Sequence, residues 1–129
     1  LAAERDALSV INDQVGAPTG ADLLADVTAL TISKLNVGEG ASGVYHCVAR
    51  GATSWFEYAR FVIDWARVNG LPVKVASDAI QPISTSAYPT PATRPHNSRL
   101  STKKLRETFS IRLPERQVGV ERMLRETCT

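Results

Sequence analysis

The sequence is poor in cysteine, and its two cysteines form no metal-binding pattern. Cys47 and Cys128 are the only ones among 129 residues, and they lack the paired spacing of a zinc site. Cys47 lies in the apolar stretch VYHCVA, which indicates a small buried side chain rather than a reactive thiol. Two cysteines without a pairing pattern are typical of a reducing cytoplasm, and we expect that location.

Long hydrophobic runs and an excess of one charge are also absent. No apolar run approaches the roughly 20 residues that a membrane-spanning helix needs. The formal net charge is +2, from 15 Lys and Arg against 13 Asp and Glu, whereas nucleic-acid-binding domains carry a marked basic excess. The composition therefore predicts a single globular domain that binds neither membrane nor nucleic acid.

Signatures of a reaction centre are missing as well. The chain has no G-x-S-x-G nucleophile elbow. Each of the three tyrosines, at positions 45, 58 and 88, is followed four residues later by alanine or valine rather than lysine. A Tyr-Lys proton-transfer pair is therefore absent. The residues by themselves indicate a chain that binds a ligand but does not carry out a reaction.

A glycine motif that is present, GEGASG at residues 38–43, matches the G-x-G-x-x-G pattern of dinucleotide-binding loops, with Asp64 near the position of the ribose-binding acid. Such a loop needs a strand before it and a helix after it. Here ADLLADVTALTISKL, before the glycines, has helical apolar spacing, and VYHCVA, after them, has the composition of a strand. The glycines are therefore predicted to end a helix and form a turn, not to bind phosphate.

Start and stop signals predict a mixed α and β chain with four helices and two or three short strands. The strands are expected at residues 8–13, 44–49 and in the extended segment VKVASDA, and LAAERDA resembles the tail of a helix. Residues 82–95 hold four of the seven prolines and are predicted to lack regular structure. The predicted helix starts are Thr19 with Asp22, Ser54 with Glu57, Ser101, and Pro114.

The predicted apolar faces of these helices define the expected core. They comprise Leu23, Leu24, Val27, Leu30 and Leu35 in the first helix, Trp55, Ala59, Val62, Ile63 and Ala66 in the second, Leu105 and Phe109 in the third, and Val120, Met123 and Leu124 in the last.

The strongest candidate site is the loop YPTPATRPHNSRL at residues 88–100. Arg94, Asn97, Ser98 and Arg99 lie within six residues of one another, and the prolines stiffen the loop because they fix φ. Arginine donors match phosphate oxygens, so a stiff loop with two guanidinium groups suits an anion. The alternative is that these arginines pair with surface carboxylates. His96 lies in the same loop without a carboxylate near it in the sequence.

A second rigid polar segment, DQVGAPTG at residues 13–20, leads into the first helix. The free amides of a first helical turn suit a phosphate. The alternative is that the segment only caps the helix, and the residues alone leave both open.

Four segments together resemble the C-terminal half of bacterial dTDP-4-dehydrorhamnose reductases, in the extended short-chain dehydrogenase/reductase superfamily. They are LSVINDQVGAPTGADLLADVTA, GVYHCVARGATSWFEYA, STSAYPTPATRPHNSRL and GVERMLRE. The combination of DQ-x-GAPT with TPA-x-RP-x-NSRL is specific to this family. The resemblance covers nearly the whole chain and implies an α/β Rossmann-type fold in which residues 1–129 are the sugar-nucleotide-binding portion. The chain starts at Leu1, where the helix after the catalytic segment would be finishing.

The resemblance implies an activity for the intact parent enzyme. Family members reduce the C4 keto group of dTDP-6-deoxy-L-lyxo-4-hexulose with NADPH or NADH and form dTDP-L-rhamnose. The dinucleotide loop and the catalytic Tyr and Lys lie in an N-terminal domain that this chain lacks, so we expect the chain alone to be inactive. That domain and the dTDP-sugar are the implied partners. The implied substrate-binding residues are Gly16, Ala17, Pro18, Thr19, Arg94, Asn97, Ser98 and Arg99.

Some members of the family form homodimers in which divalent cations such as Mg²⁺ bridge carboxylates of the two protomers. The matching positions here are Asp22 and Glu126. Two further hypotheses keep the fold. One is a non-catalytic regulatory module, as in the beta subunit of methionine adenosyltransferase, and the other is a sugar-nucleotide epimerase or dehydratase. The residues of the motifs DQ-x-GAPT and TPA-x-RP-x-NSRL favour the reductase.

Overall fold

The computed structural model describes residues 1–36, 38 and 42–128, and the chain is α/β as predicted. It divides into two compact units, the first made of Leu1–Gly16, Thr53–Ser98 and the chain from Leu124, the second of Ala17–Ala52 and Arg99–Met123. The strands and α-helices are β1 (Leu8–Ile11), β2 (Val15–Gly16), β3 (Thr53–Ser54), β4 (Ile80–Ile83), α1 (Ala21–Asn36), α2 (Trp55–Val68), α3 (Lys103–Phe109) and α4 (Arg116–Thr127).

The first unit is built on two small sheets. In one, β1 pairs in parallel with β4, and in the other β2 pairs antiparallel with β3. The strand β1 was predicted. The strand β4 was not: a strand was expected within VKVASDA, but β4 follows that segment, and residues 82–95 were expected to lack regular structure, but β4 includes Pro82, opposite Val10. Within the described residues β4 has a single strand neighbour, and proline is tolerated on such an edge.

The helix α2 begins as the sequence predicted. The Ser54 hydroxyl accepts a hydrogen bond from the Glu57 amide (3.1 Å), which confirms the cap. The buried face is centred on Phe56 and Ile63, which form a core with Val75 and Ile80. Trp55 is 55% exposed, so its expected burial is wrong. Trp55 is the first residue of α2, and the buried face of the helix contains the next residue, Phe56, instead.

The second unit packs α1 and α3 around a separate core. Its buried residues are Val27, Leu105, Phe109, Ile111 and Leu113, and the rings of Tyr45 and Phe109 meet edge to face at 5.0 Å. Only Val27 of α1 is buried, although a wide apolar stripe was predicted. The described part of the chain leaves Leu24, Leu30, Ile32 and Leu35 exposed.

The segment after α1 confirms the interpretation of the glycines. Gly38 has φ +79°, and its amide donates to the Leu35 carbonyl (3.1 Å), so the helix stops there. Gly40 lies outside the described residues. Residues 44–49 contain no strand, so the predicted strand is wrong within the described structure, where these residues have no ladder partner. Residues 42–49, which are described, contain no start of a helix, and a phosphate loop would require a helix directly after the glycines.

The ends of the chain differ from expectation in detail. Residues 1–5 form a turn rather than a helix tail, with the amides of Glu4 and Arg5 donating to the Leu1 carbonyl. The N-cap of α3 is Thr102, not Ser101, and α4 starts two residues after Pro114.

Core predictions for the last two helices are mostly confirmed. Leu105, Phe109, Val120 and Leu124 are buried, but Met123 is 41% exposed, since it lies on the solvent side of α4. No helix in the described ranges combines the length and the apolar character needed to cross a membrane.

Candidate functional site

The eight predicted binding residues divide equally between the two units. Both motif segments contain a point where the chain passes from the first unit to the second, after Gly16 and again after Ser98. The first unit holds Gly16, Arg94, Asn97 and Ser98, and the second holds Ala17, Pro18, Thr19 and Arg99.

In the first unit, the backbone brings three of these residues together. The Val15 amide donates to the His96 carbonyl, and the Ser98 amide donates to the Val15 carbonyl, each at 2.8 Å. Val15 and Asn97 thus form a parallel bridge. A methyl group at Gly16 would lie 3.7 Å from the Ser98 Cβ, so Gly16 and Ser98 are direct neighbours. Residues about 80 positions apart in the chain are therefore neighbours in the first unit.

Asp13 and Thr85 form a contact next to the candidate loop that sequence reasoning missed. The Asp13 carboxylate accepts hydrogen bonds from the Thr85 amide (2.9 and 3.0 Å) and from the Thr85 hydroxyl (2.6 Å). The buried Gln14 side chain donates to the same hydroxyl (3.1 Å). These bonds lower the pKa of Asp13 below its ordinary 3.8, the side-chain bond from Thr85 being the largest cause. The available signal was the polar pair DQ, which begins at the last residue of the predicted strand 8–13.

His96 has the carboxylate neighbour that the sequence did not show. Its Nδ1 lies 3.0 Å from the Asp13 carbonyl oxygen and 3.7 Å from Asp13 Oδ2. The expectation that His96 lacks such a partner is therefore wrong. The two residues are 83 positions apart, so only the fold brings them together.

Arg94 lies on the exposed surface of the loop. Its side chain is exposed, and among the described residues no carboxylate is within ion-pair distance of it. Among the described residues, the alternative of pairing with a surface carboxylate therefore has no support for Arg94. Its guanidinium group can accept an anionic ligand without breaking an ion pair.

In the second unit, Ala17 and Arg99 line a cavity of about 330 Å³. Arg50, which sequence reasoning missed, lies in the same wall and is held by Glu115, whose Oε1 lies 2.6 Å from both Nε and a terminal nitrogen of Arg50. The partners are 65 positions apart, which explains why no local signal existed. The lining residues are Ala17, Val48, Ala49, Arg50, Gly51, Ala52, Arg99, Leu100 and Thr102.

Thr19 connects two residues that line this cavity, Ala17 and Ala49. Its hydroxyl donates to the Ala17 carbonyl (2.9 Å) and accepts from the Ala49 amide (3.1 Å). The helix α1 begins at Ala21, so the predicted cap by Thr19 is wrong. The single hydroxyl proton is already used within the protein, and Thr19 stabilises the segment that carries Ala17.

The predicted magnesium pair receives no support from the described structure. The Asp22 carboxylate is held by Arg122 (3.0 Å), and the described residues contain no group of three His, Cys, Asp or Glu side chains that could hold a metal ion. A bridging ion between Asp22 and Glu126 of two protomers stays a prediction.

Cys47 is partly buried against the core of the second unit, and burial raises the pKa of its thiol, as expected of a structural cysteine.

Comparison with known proteins decides the family. The profile described as RmlD substrate binding domain matches residues 1–128. The chain belongs to this family. It is 52% identical over 129 residues to dTDP-4-dehydrorhamnose reductase of Escherichia coli strain K12, and 54% identical over 130 residues to that of Salmonella typhimurium strain LT2. All of the chain and 42% of each reductase are covered.

Solved structures agree with the family assignment. The dTDP-4-dehydrorhamnose reductase of Bacillus anthracis strain Ames, solved in complex with NADP, matches with a TM-score of 0.73 at 31% identity. The match covers 96% of this chain and 40% of that structure. The chain thus spans about two fifths of the length of the reductases it matches, in their C-terminal part, and the predicted resemblance is confirmed.

Proposed function

We propose that this chain is the sugar-nucleotide-binding part of a dTDP-4-dehydrorhamnose reductase. The observation that carries the proposal is the match of a substrate-binding family over residues 1–128. In the intact enzyme, hydride from NADPH or NADH reduces the C4 keto group of the dTDP-sugar to give dTDP-L-rhamnose. The role of this chain in that reaction is to bind and orient the substrate.

The charges of the candidate site support a diphosphate ligand. Arg94 is exposed without a carboxylate at ion-pair distance in the described structure, and Arg99 lines the cavity of the second unit. Guanidinium groups bind phosphate oxygens through paired donors, and a diphosphate offers several such oxygens. Arg94 in the first unit and Arg99 in the second are each a candidate for a phosphate contact or for anchoring the loop.

The packing of the first unit supports a ligand close to the backbone. Gly16 has no side chain to block its surface, the Ser98 side chain lies beside it, and Asn97 is paired with the preceding residue, Val15. Hydroxyl and amide groups suit the sugar hydroxyls or the base of a sugar nucleotide. Ala17, Pro18 and Thr19 continue the same segment, with Thr19 acting through the position of Ala17.

Nicotinamide binding belongs to another part of the enzyme. The described residues place no helix N-terminus behind the glycines of GEGASG, and the chain does not fit a dinucleotide there. We therefore assign NADPH or NADH binding, and the catalytic Tyr and Lys, to the portion of the reductases outside the match. That portion, the N-terminal domain of the reductase, is the partner of this chain, and we expect the chain alone to be inactive.

Two experiments test the proposal. Calorimetric titration of the chain with dTDP, with UDP as control, measures nucleotide binding. A fused protein, in which this chain replaces the matched 42% of the E. coli reductase, measures keto-sugar-dependent NADPH oxidation. We expect preference for dTDP and an active fused protein.

Arg94 gives the proposal a residue-level test. Arg94→Ala should raise the KM of the fused protein about tenfold through the loss of a charge-assisted contact. The matched control is Arg5→Ala, at another exposed arginine of the first unit, and it should leave KM unchanged. A folded fused protein without activity, together with a chain that does not bind dTDP, would contradict the proposal and favour a non-catalytic interaction module.

A further inference from the structure

The loop that carries the predicted binding residues is not held by burial. Every residue from 86 to 100 is exposed, although Arg94, Asn97 and Ser98 all lie in this stretch. Prolines stiffen the loop internally, but stiffness does not fix where the loop lies relative to Gly16. Its position must come from the contacts at its two ends.

The first end is held at Thr85 by the Asp13 carboxylate. Three contacts of 3.0 Å or less join them, from the Thr85 amide to both carboxylate oxygens and from the Thr85 hydroxyl to one of them. Hydrogen bonds to a carboxylate are stronger than bonds between neutral groups. Gln14, which is 8% exposed, adds a bond to the same hydroxyl.

The second end is held at His96 by the same residue. The Asp13 carbonyl oxygen is 3.0 Å from His96 Nδ1, and the Asp13 carboxylate lies 3.7 Å from this nitrogen. The next residue in the chain continues the attachment, since Val15 bonds through its backbone to His96 and Ser98. A single aspartate thus contacts Thr85 and His96, the residues on either side of the stretch 86–95 that carries Arg94.

We propose that Asp13 is a positioning residue for the sugar nucleotide, which closes the base of the loop through Thr85 and His96 and so holds Asn97 beside Val15 and Ser98 beside Gly16. This inference rests on the proposed function, because it concerns the same binding site. Asp13 does not touch the substrate. It lowers the entropy that the loop loses on binding, because the loop is already ordered in the free protein.

The test combines hydrogen exchange with steady-state kinetics in the fused protein. Asp13→Ala should accelerate amide exchange in residues 86–98 and leave exchange in α2 unchanged. It should raise KM for the keto-sugar about tenfold and change kcat less than about twofold, because ordering of the loop affects binding rather than the chemical step.

Two further variants separate positioning from general stability. Thr85→Val removes the hydroxyl that Asp13 binds and should raise KM, whereas Thr85→Ser retains it and should restore the wild-type value. The matched control is Asp6→Ala, which removes an exposed carboxylate of the same unit that pairs with Lys74 (3.0 Å). It should leave both KM and loop exchange unchanged.

The outcomes distinguish the two proposals. An active fused protein in which Asp13→Ala has the wild-type KM or unchanged loop exchange would overturn the positioning role alone. The same holds if Thr85→Ser and Thr85→Val raise KM equally. A folded wild-type fused protein without keto-sugar reduction would overturn the proposed function and, with it, this inference.

Discussion

Removing the Ser54 hydroxyl should destabilise the first unit by about 2 kcal/mol. The hydroxyl accepts from the Glu57 amide (3.1 Å) and donates to the Asn12 side-chain oxygen (2.6 Å). Loss of an N-cap costs about 1 kcal/mol, and loss of a second hydrogen bond costs about 1 kcal/mol more. Ser54 is buried, so water cannot fully replace these bonds in Ser54→Ala.

Urea and thermal unfolding followed by circular dichroism measure this loss. At about 4 °C per kcal/mol for a chain of this size, the midpoint should fall by about 8 °C. Ser54→Thr keeps the hydroxyl and should lose much less stability. Ser84→Ala is the matched control, because the Ser84 hydroxyl is exposed and bonds to the Ser86 hydroxyl (2.7 Å) rather than to a helix end. A loss in Ser54→Ala no larger than in Ser84→Ala would refute the reasoning.

Three further predictions concern charge, packing and backbone. Hydrogen bonds from Thr85 lower the pKa of Asp13, so the ionised Asp13 stabilises the folded chain fully above pH 3.8. This stabilisation is lost as the pH falls through the lower pKa of the folded state, and below it the unfolding free energies of the wild type and Asp13→Ala should converge in an acid titration. Leu105→Ala should cost about 3 kcal/mol in urea unfolding, and Met123→Ala, at an exposed site, less than about 1 kcal/mol. Gly51→Ala should cost about 1 kcal/mol in the same assay, because Gly51 has φ +87° and a Cβ there would lie 3.2 Å from Glu115.

The family was predictable because its sequence motifs are short and specific. The structure places the segment of Gly16 next to the segment of Asn97 and Ser98, and their role in binding stays a prediction. The residue that organises this arrangement was not predictable. Asp13 reaches Thr85 and His96 across 72 and 83 positions, and neither pair has a local signal in the sequence.

Core residues were predictable only as candidates. Helical periodicity identifies apolar positions, but a position is buried only where another element covers it. Val27 is buried, whereas Leu30 on the same helix is exposed within the described structure. Residues 44–49 show the same dependence, since a β-forming sequence becomes a strand only beside a partner with free backbone groups.

The amino-acid sequence by itself determined the features that depend on near neighbours. The cap at Ser54, the helix stop at Gly38 and the family motifs act within a few residues, where bond geometry and side-chain chemistry decide the result. The tertiary structure alone decided the contacts of Asp13 with Thr85 and of Arg50 with Glu115. Such contacts depend on where distant segments meet, and that is set by the packing of the whole chain.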